Sequence, residues 1–267
     1  MVNSLLYKNI ILFGTDFGIN QSLTFFPRKN VVAIVAPSIK PEQINKVKMI
    51  ADEHGIKCII QPPKKSDEFE KFYEEIKELN PDLILCNSYS MIIPKVILEI
   101  VKYKAINIHW ALLPLNRGPN PIQWSIIKGE KKTGVTIHLM DSGMDTGDIL
   151  FQEEIEISIE DTWMTLFEKL EKLSNNMLKE YIPLILNNAY TSCKQNEIYS
   201  STNFRLTCDY PVINFDKQSN MEIYNLIRAQ VAPLNGAYII NESNSRIYFK
   251  ERLSIQKIEE LRRQYGV

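Results

Sequence analysis

The sequence predicts an α/β protein with a mostly parallel sheet and a small α+β unit towards its C-terminal end. Three observations lead there. In the first half, short apolar runs alternate with amphipathic stretches, the pattern of a sheet whose parallel strands are joined by helices. With 267 residues, 45% hydrophobic and 24% charged, the chain can bury a substantial core. From about Ser192 the texture changes to short strand-like runs around a helix-like run. Residues 1–191 are therefore expected as the main domain and 192–267 as a small unit packed on it, since about 70 residues is below the size of a comfortable independent core.

The strands expected in the first half are Asn9 to Phe13, Val31 to Val35, Lys57 to Ile60, Asp82 to Leu85 and Ala105 to His109. Pro41 to His54 reads as a helix, with a proline suited to the first turn, apolar Ile44, Val47 and Ala51, and Gly55 as a stop. Ser66 to Leu79 reads as another, capped by Ser66, with Asp67 and Glu68 at the positive end of the dipole and a stripe of Phe69, Phe72, Ile76 and Leu79. Further on, Pro121 to Lys128 is expected as a short helix, Gly134 to Met140 and Ile149 to Ile157 as strands, and Thr162 to about Leu186 as a long helix. In the C-terminal part, "PVINF" and "AYIINESNSRIYF" read as strands, and "NMEIYNLIRAQ" and "LSIQKIEELRRQYG" as helices.

Charge and cysteine usage narrow the function classes. The chain has 31 basic and 32 acidic residues, a net charge of −1, so no bulk field favours nucleic acid or an anionic membrane as partner. Its four cysteines, Cys58, Cys86, Cys193 and Cys208, form no CxxC pair and no metal-ligand spacing, which fits reduced thiols. Cys86, at the end of a strand-like run, reads as a small buried hydrophobe. The N-terminus "MVNSLLYKNIILFG" has no leader pattern, and no run approaches the roughly 20 apolar residues that span a bilayer. A cytoplasmic location is expected.

Two loops and one strand end carry the chemistry. "GTDFG", Gly14 to Gly18, follows the first strand, but its glycines are four apart and make no dinucleotide fingerprint, so it reads as a tight turn. "TGVTIHLMDSGMDTGDIL" runs from an alternating strand into a turn with Asp141, Asp145 and Asp148, whose spacing is not that of a calcium loop; no metal is expected. Of the three histidines, His54 reads as a surface residue and His138 as a half-exposed strand residue. His109 stands at a strand end before the proline-bearing loop Pro114 to Pro121. Side chains two apart share a strand face, so Asn107 and His109 project together. On the residues alone, His109 fits catalysis and a buried structural histidine equally well.

The stretch "NIHWALLPLNRGPNPIQWSIIKGEKKTGVTIHLMDSGMDTGDIL", Asn107 to Leu150, resembles the formyltransferases that use 10-formyltetrahydrofolate. It carries their Asn-x-His, their "LLPxxRGxxP" loop and their "DxGxDTGDI" turn. The resemblance implies a Rossmann-like formyltransferase fold, with Asn107, His109 and Asp145 as catalytic residues. Donors on Asn107 and His109 would stabilise an oxyanion, while Asp145 favours the charged imidazole. It further implies a folate slot made by Met91, Ile92, Ile93, Leu112, Leu113, Pro114, Asp141 and Gly143. Trp110 and Ala111 depart from the family, which usually has a smaller residue or proline and a serine at these places.

The C-terminal "VINF" and "IYNLIRAQVAPLNGAY" are similar to sugar-nucleotide N-formyltransferases. That likeness implies a homodimer acting on a nucleotide-linked amino sugar for bacterial surface polysaccharide (O-antigen). The first expectation is dTDP-4-amino-4,6-dideoxyglucose, and the 3-amino isomer is the second. Thr15, Asp16, Tyr224 and Tyr238 are candidate contacts to it. Methionyl-tRNA and glycinamide ribonucleotide are the alternative acceptors, and the larger C-terminal barrel of methionyl-tRNA formyltransferase is not expected in this chain. A non-catalytic nucleotide-binding module is the alternative from another class.

Overall fold

The computed structural model describes residues 8–39, 41–102 and 104–265. The chain divides into two compact units. One comprises Met1–His109, Thr136–Gln152 and Ser174–Asn196; the other comprises Trp110–Val135, Glu153–Leu173 and Glu197–Val267. Residues 192–196 thus go with the first unit. The second draws in two earlier segments beside the C-terminal stretch.

The strands are β1 (Ile10–Gly14), β2 (Val31–Pro37), β3 (Lys57–Gln61), β4 (Leu83–Asn87), β5 (Lys104–His109), β6 (Lys132–Leu139) and β7 (Ile149–Glu156), in the sheet order β3-β2-β1-β4-β5-β6-β7. The pairs β1/β2, β2/β3, β1/β4 and β4/β5 are parallel, and β6 runs antiparallel to β5. This is the mostly parallel sheet that the alternating first half predicts, in the Rossmann-like form that the resemblance implies. Chain order reverses between β1 and β4. In such sheets ligands bind beyond the carboxyl ends of the strands near that switch point, and β5 ends on the same side with Asn107 and His109.

One face of the first unit is held by Ile11, Phe13, Val35, Ile59, Phe72, Ile76, Ile84 and Ile97, all buried in a single cluster. The stripe on α3 (Phe69–Glu78) delivers Phe72 and Ile76 to that cluster, as its periodicity predicts. The helix starts later than expected. Glu68 is its N-cap with no side-chain cap hydrogen bond, and the Ser66 carbonyl accepts from the Phe69 N–H. The helix α2 (Pro41–Glu53) lies as expected.

"GTDFG" is not a tight turn. Gly14 ends β1, Thr15 is an extended N-cap, and Asp16 opens α1 (Asp16–Phe25), its carboxylate at the positive end of the dipole. Gly18 sits where a Cβ would lie 2.0 Å from the Asn87 carbonyl oxygen, so α1 approaches β4 at a distance only glycine permits. Next come α4 (Lys95–Glu99), α5 (Pro121–Ile127) and α6 (Trp163–Leu186).

The second unit ends in α7 (Asn220–Arg228), the antiparallel pair β8 (Ala237–Ile240) and β9 (Arg246–Phe249), and α8 (Ile255–Tyr265). Ser219 and Glu222 close a reciprocal cap on α7. "PVINF" forms no strand. Val212 makes one isolated bridge to Tyr238, and the chain then turns at Asn214, whose side chain accepts from the Asp216 and Lys217 N–H groups. Ile213, Phe215, Ile223, Ile227 and Ile258 pack there as a second core.

Candidate active site

β5 carries Asn107 and His109 on one face at its carboxyl end, and the antiparallel register sets His138 of β6 directly opposite Asn107 and Thr136 opposite His109. Past β6 the chain turns, and Asp145 comes back to both. The Asn107 amide donates to Asp145 Oδ1 at 3.2 Å, and His109 Nδ1 lies 3.6 Å from Asp145 Oδ2. An asparagine, a histidine and a carboxylate so converge on one edge of the sheet, with the His109 side chain 7% exposed and that of Asp145 15%.

His138 belongs to this cluster, contrary to the half-exposed position its strand pattern predicts. It is 2% exposed, because β6 is covered on both faces and alternation does not bring its residue to solvent. Its Nδ1 is 2.7 Å from the Leu139 carbonyl, an acceptor only, so Nδ1 holds the proton of the neutral ring. In that form Nε2 accepts from the Asn107 amide at 3.1 Å, and Asp145 Oδ1 lies 3.5 Å from the same nitrogen. Both amide hydrogens of Asn107 are thereby directed, one to His138 and one to Asp145. The carboxamide orientation follows, since its oxygen in that place would face two acceptors.

The turn is built to aim Asp145. Asp141 Oδ1 accepts from the Gly143 N–H at 2.9 Å and from the Thr146 hydroxyl at 2.6 Å. Asp145 is in the left-handed region with φ of 56°, which a non-glycine residue adopts only when its surroundings hold it there. At Gly147 a Cβ would lie 1.9 Å from the Leu139 carbonyl oxygen. Gln195 Nε2 donates to the carbonyls of Asp145 and Gly147 at 2.8 and 2.7 Å. The buried Cys86 thiol is held well above its usual pKa, first by burial and second by the charge of Asp145. It remains a protonated thiol and no nucleophile.

The other expected residues fall as follows. Met91, Ile92 and Ile93 follow β4: the Ile92 side chain is 74% exposed, its carbonyl accepts from Gln61, and Ile93 is buried. Thr15 caps α1, and Asp16 pairs with Lys46 at 3.1 Å. In the second unit, Leu113 is buried, and the loop after it is pinned by the buried Arg117, which pairs with Glu197 through two hydrogen bonds. The Leu112 side chain would meet a Cβ at Gly134, and the Pro114 carbonyl accepts from the Ser201 N–H. Trp110 packs on Phe167 with ring centroids 5.2 Å apart. Tyr224 and Tyr238 are 5% and 3% exposed, and their hydroxyls donate to the carbonyls of Ile159 and Asp209. Both rings are thus packed inside the unit.

Two residues of this neighbourhood lie outside the catalytic set expected from the sequence. His138 had a signal, its place two residues from Thr136 on a strand leading into the aspartate turn. Gln195 had none, since it joins the turn across about fifty intervening residues. Among the described residues, no group of three or more His, Cys, Asp or Glu side chains is placed to hold a metal ion. None of the helices described is long and apolar enough to cross a membrane.

Residues 27–182 match the formyl transferase family, more than half of the chain. A methionyl-tRNA formyltransferase from Ruminiclostridium cellulolyticum is 38% identical over 90% of this chain and 78% of its own. Among solved structures, a sugar N-formyltransferase from a Shewanella species superposes with a TM-score of 0.72 at 25% identity, covering 92% of this chain and 98% of that one. An N-formyltransferase from Helicobacter canadensis, solved with folinic acid and dTDP-3-aminofucose, has a TM-score of 0.65 at 26% identity, covering 84% and 80%. The chain belongs to the formyl transferase family and is a folate-dependent N-formyltransferase.

Proposed function

We propose that this protein moves the formyl group of 10-formyltetrahydrofolate to the amine of a nucleotide-linked amino sugar, with Asn107, His109 and Asp145 as its catalytic residues. The observation that carries the reading is the shared carboxylate, with Asp145 reaching Asn107 through one oxygen and His109 through the other. Attack of the acceptor amine on the formyl carbon makes a C–N bond and pushes charge onto the formyl oxygen. The protonated His109 ring and an Asn107 N–H stabilise that charge. Asn107 must give up one of its two present partners to do so. Asp145 favours the charged imidazole and receives the amine proton, directly or through water, before the bond to the donor nitrogen breaks and that nitrogen is protonated.

A folate ring system asks for backbone donors and acceptors beside apolar walls. Met91 to Ile93 offer a run of backbone groups with the Ile92 side chain held out of the fold, and Asp141 and Gly143 stand in the turn that carries Asp145. On the acceptor side we assign dTDP-4-amino-4,6-dideoxyglucose, with Thr15 and Asp16 among its contacts, in a cytoplasmic homodimer supplying bacterial surface polysaccharide. Support comes from the match to nearly the whole Shewanella sugar N-formyltransferase and from a net charge of −1, which gives a transfer RNA no overall attraction. Methionyl-tRNA is the second reading, favoured by the 38% identity to the Ruminiclostridium protein.

The test is kcat/KM with 10-formyltetrahydrofolate for dTDP-4-amino-4,6-dideoxyglucose, its 3-amino isomer, glycinamide ribonucleotide and methionyl-tRNA. The sugar nucleotide is expected to lead. A lead of about tenfold for methionyl-tRNA or glycinamide ribonucleotide, about 1.4 kcal/mol of transition-state preference, overturns the sugar assignment.

A further inference from the structure

We propose that Gln195 is a positioning residue for the reaction, acting through Asp145; the inference rests on the catalytic assignment above. A short antiparallel contact brings it into place: Ile149 donates to the Cys193 carbonyl at 2.8 Å and Cys193 donates back to that of Ile149 at 2.9 Å. Two residues on, the Gln195 amide nitrogen donates one hydrogen to the Asp145 carbonyl and the other to the Gly147 carbonyl. Two carbonyls from alternate residues of one turn thus close on a single NH2 group. Only a paired donor fits there, because an oxygen in that position would face two oxygens.

The turn needs such a clasp. Asp145 holds a left-handed backbone, which is strained for a non-glycine residue and persists where surrounding contacts hold it. At the other end, Asp141 ties Gly143 and Thr146. The direction of the Asp145 side chain follows from its backbone angles, and with it the approach of Oδ1 to Asn107 and of Oδ2 to His109. Releasing the clasp leaves all three functional groups present and moves one of them. Misplacement by about 1 Å costs on the order of a hundredfold in rate while ground-state binding persists.

Among the described residues, Asp145 lies against His109, and the His138 ring, whose Nε2 is 3.5 Å from Asp145 Oδ1, has its centroid 6.5 Å from that of His109. A carboxylate that drifts off is no longer placed to receive the amine proton, so the loss falls on kcat rather than on KM.

The experiment compares full-length wild type, Gln195→Met, Gln195→Glu, Asp145→Asn and the double variant Gln195→Met/Asp145→Asn. It measures kcat and KM for both substrates, with folding checked by circular dichroism. Gln195→Met should fold and lose about ten- to a hundredfold in kcat with KM little changed, and adding it to Asp145→Asn should cost little further kcat, since both act through the same carboxylate. Gln195→Glu, which sets a carboxylate against two carbonyls, should lose at least as much kcat. An unfolded Gln195→Met protein, unchanged kcat, or a fully additive loss in the double variant would each make Gln195 a structural residue and overturn the proposal. If wild type transfers no formyl group, the catalytic assignment fails; if wild type and Gln195→Met turn over equally, this inference alone fails.

Discussion

Asn107 and His138 stand opposite one another across β5 and β6, and the Asn107 amide donates to the His138 ring at 3.1 Å. The pair fixes which end of the Asn107 amide meets Asp145. Replacing His138 by Leu leaves that amide hydrogen and the Leu139 carbonyl without this partner in a part-buried place, a cost of about 1 kcal/mol. Urea unfolding of His138→Leu should show that loss. His138→Gln, whose side-chain oxygen reaches the position of Nε2, should recover part of it. Equal stability of His138→Leu and wild type would contradict this account of the pair.

Asp145→Asn keeps the size of the side chain and removes its charge. The imidazolium form of His109 then loses its counter-ion, and the amine proton loses its acceptor. Steady-state kinetics should show kcat down by about two orders of magnitude, in the range for losing a positioned proton-transfer group, with the fold intact by circular dichroism.

At Gly18 a Cβ would fall 2.0 Å from the backbone oxygen of Asn87, and backbone on both sides leaves no flexible side chain to yield. Gly18→Ala should therefore destabilise the protein by about 1–3 kcal/mol despite the better helix propensity of alanine, as read by chemical denaturation. A stabilised variant would mean that α1 lies farther from β4.

The buried Cys86 gives a pH dependence of definite sign. Its folded-state pKa is raised above the usual thiol value of 9.0, so folded protein keeps this proton where unfolded chain begins to lose it. The contribution to stability is fully present below that value and falls away as pH rises from it towards the higher folded-state value. Cys86→Ser should flatten the alkaline fall in denaturation midpoint. At pH 8 a thiol reagent should label the exposed Cys193 and Cys208 in native protein far faster than Cys86.

How much of this was legible in the sequence follows from the range of each signal. The parallel strands and the stripe of α3 are local patterns, and they stand where their periods put them. Asn107 and His109 share a face because they are two residues apart on a strand. The helix α1 was hidden by composition: its buried positions are Gly18, Ile19, Gln21 and Ser22, so apolar periodicity is nearly absent and close backbone packing replaces it. "PVINF" has strand composition, but strand pairing needs a partner, and Tyr238 offers a single bridge. The places of His138 and Gln195 depend on the β5/β6 register and on a contact between Ile149 and Cys193, relations that no window of local sequence contains.

The central claim is that His109, steadied by Asp145 beside Asn107, drives formyl transfer. The most direct measurement is the rate of tetrahydrofolate release from 10-formyltetrahydrofolate in the presence of the amino-sugar acceptor, for wild type and for His109→Ala verified as folded. The account predicts acceptor-dependent turnover in wild type and a loss of at least about a hundredfold in His109→Ala. Near-normal turnover in a well-folded His109→Ala protein would contradict it.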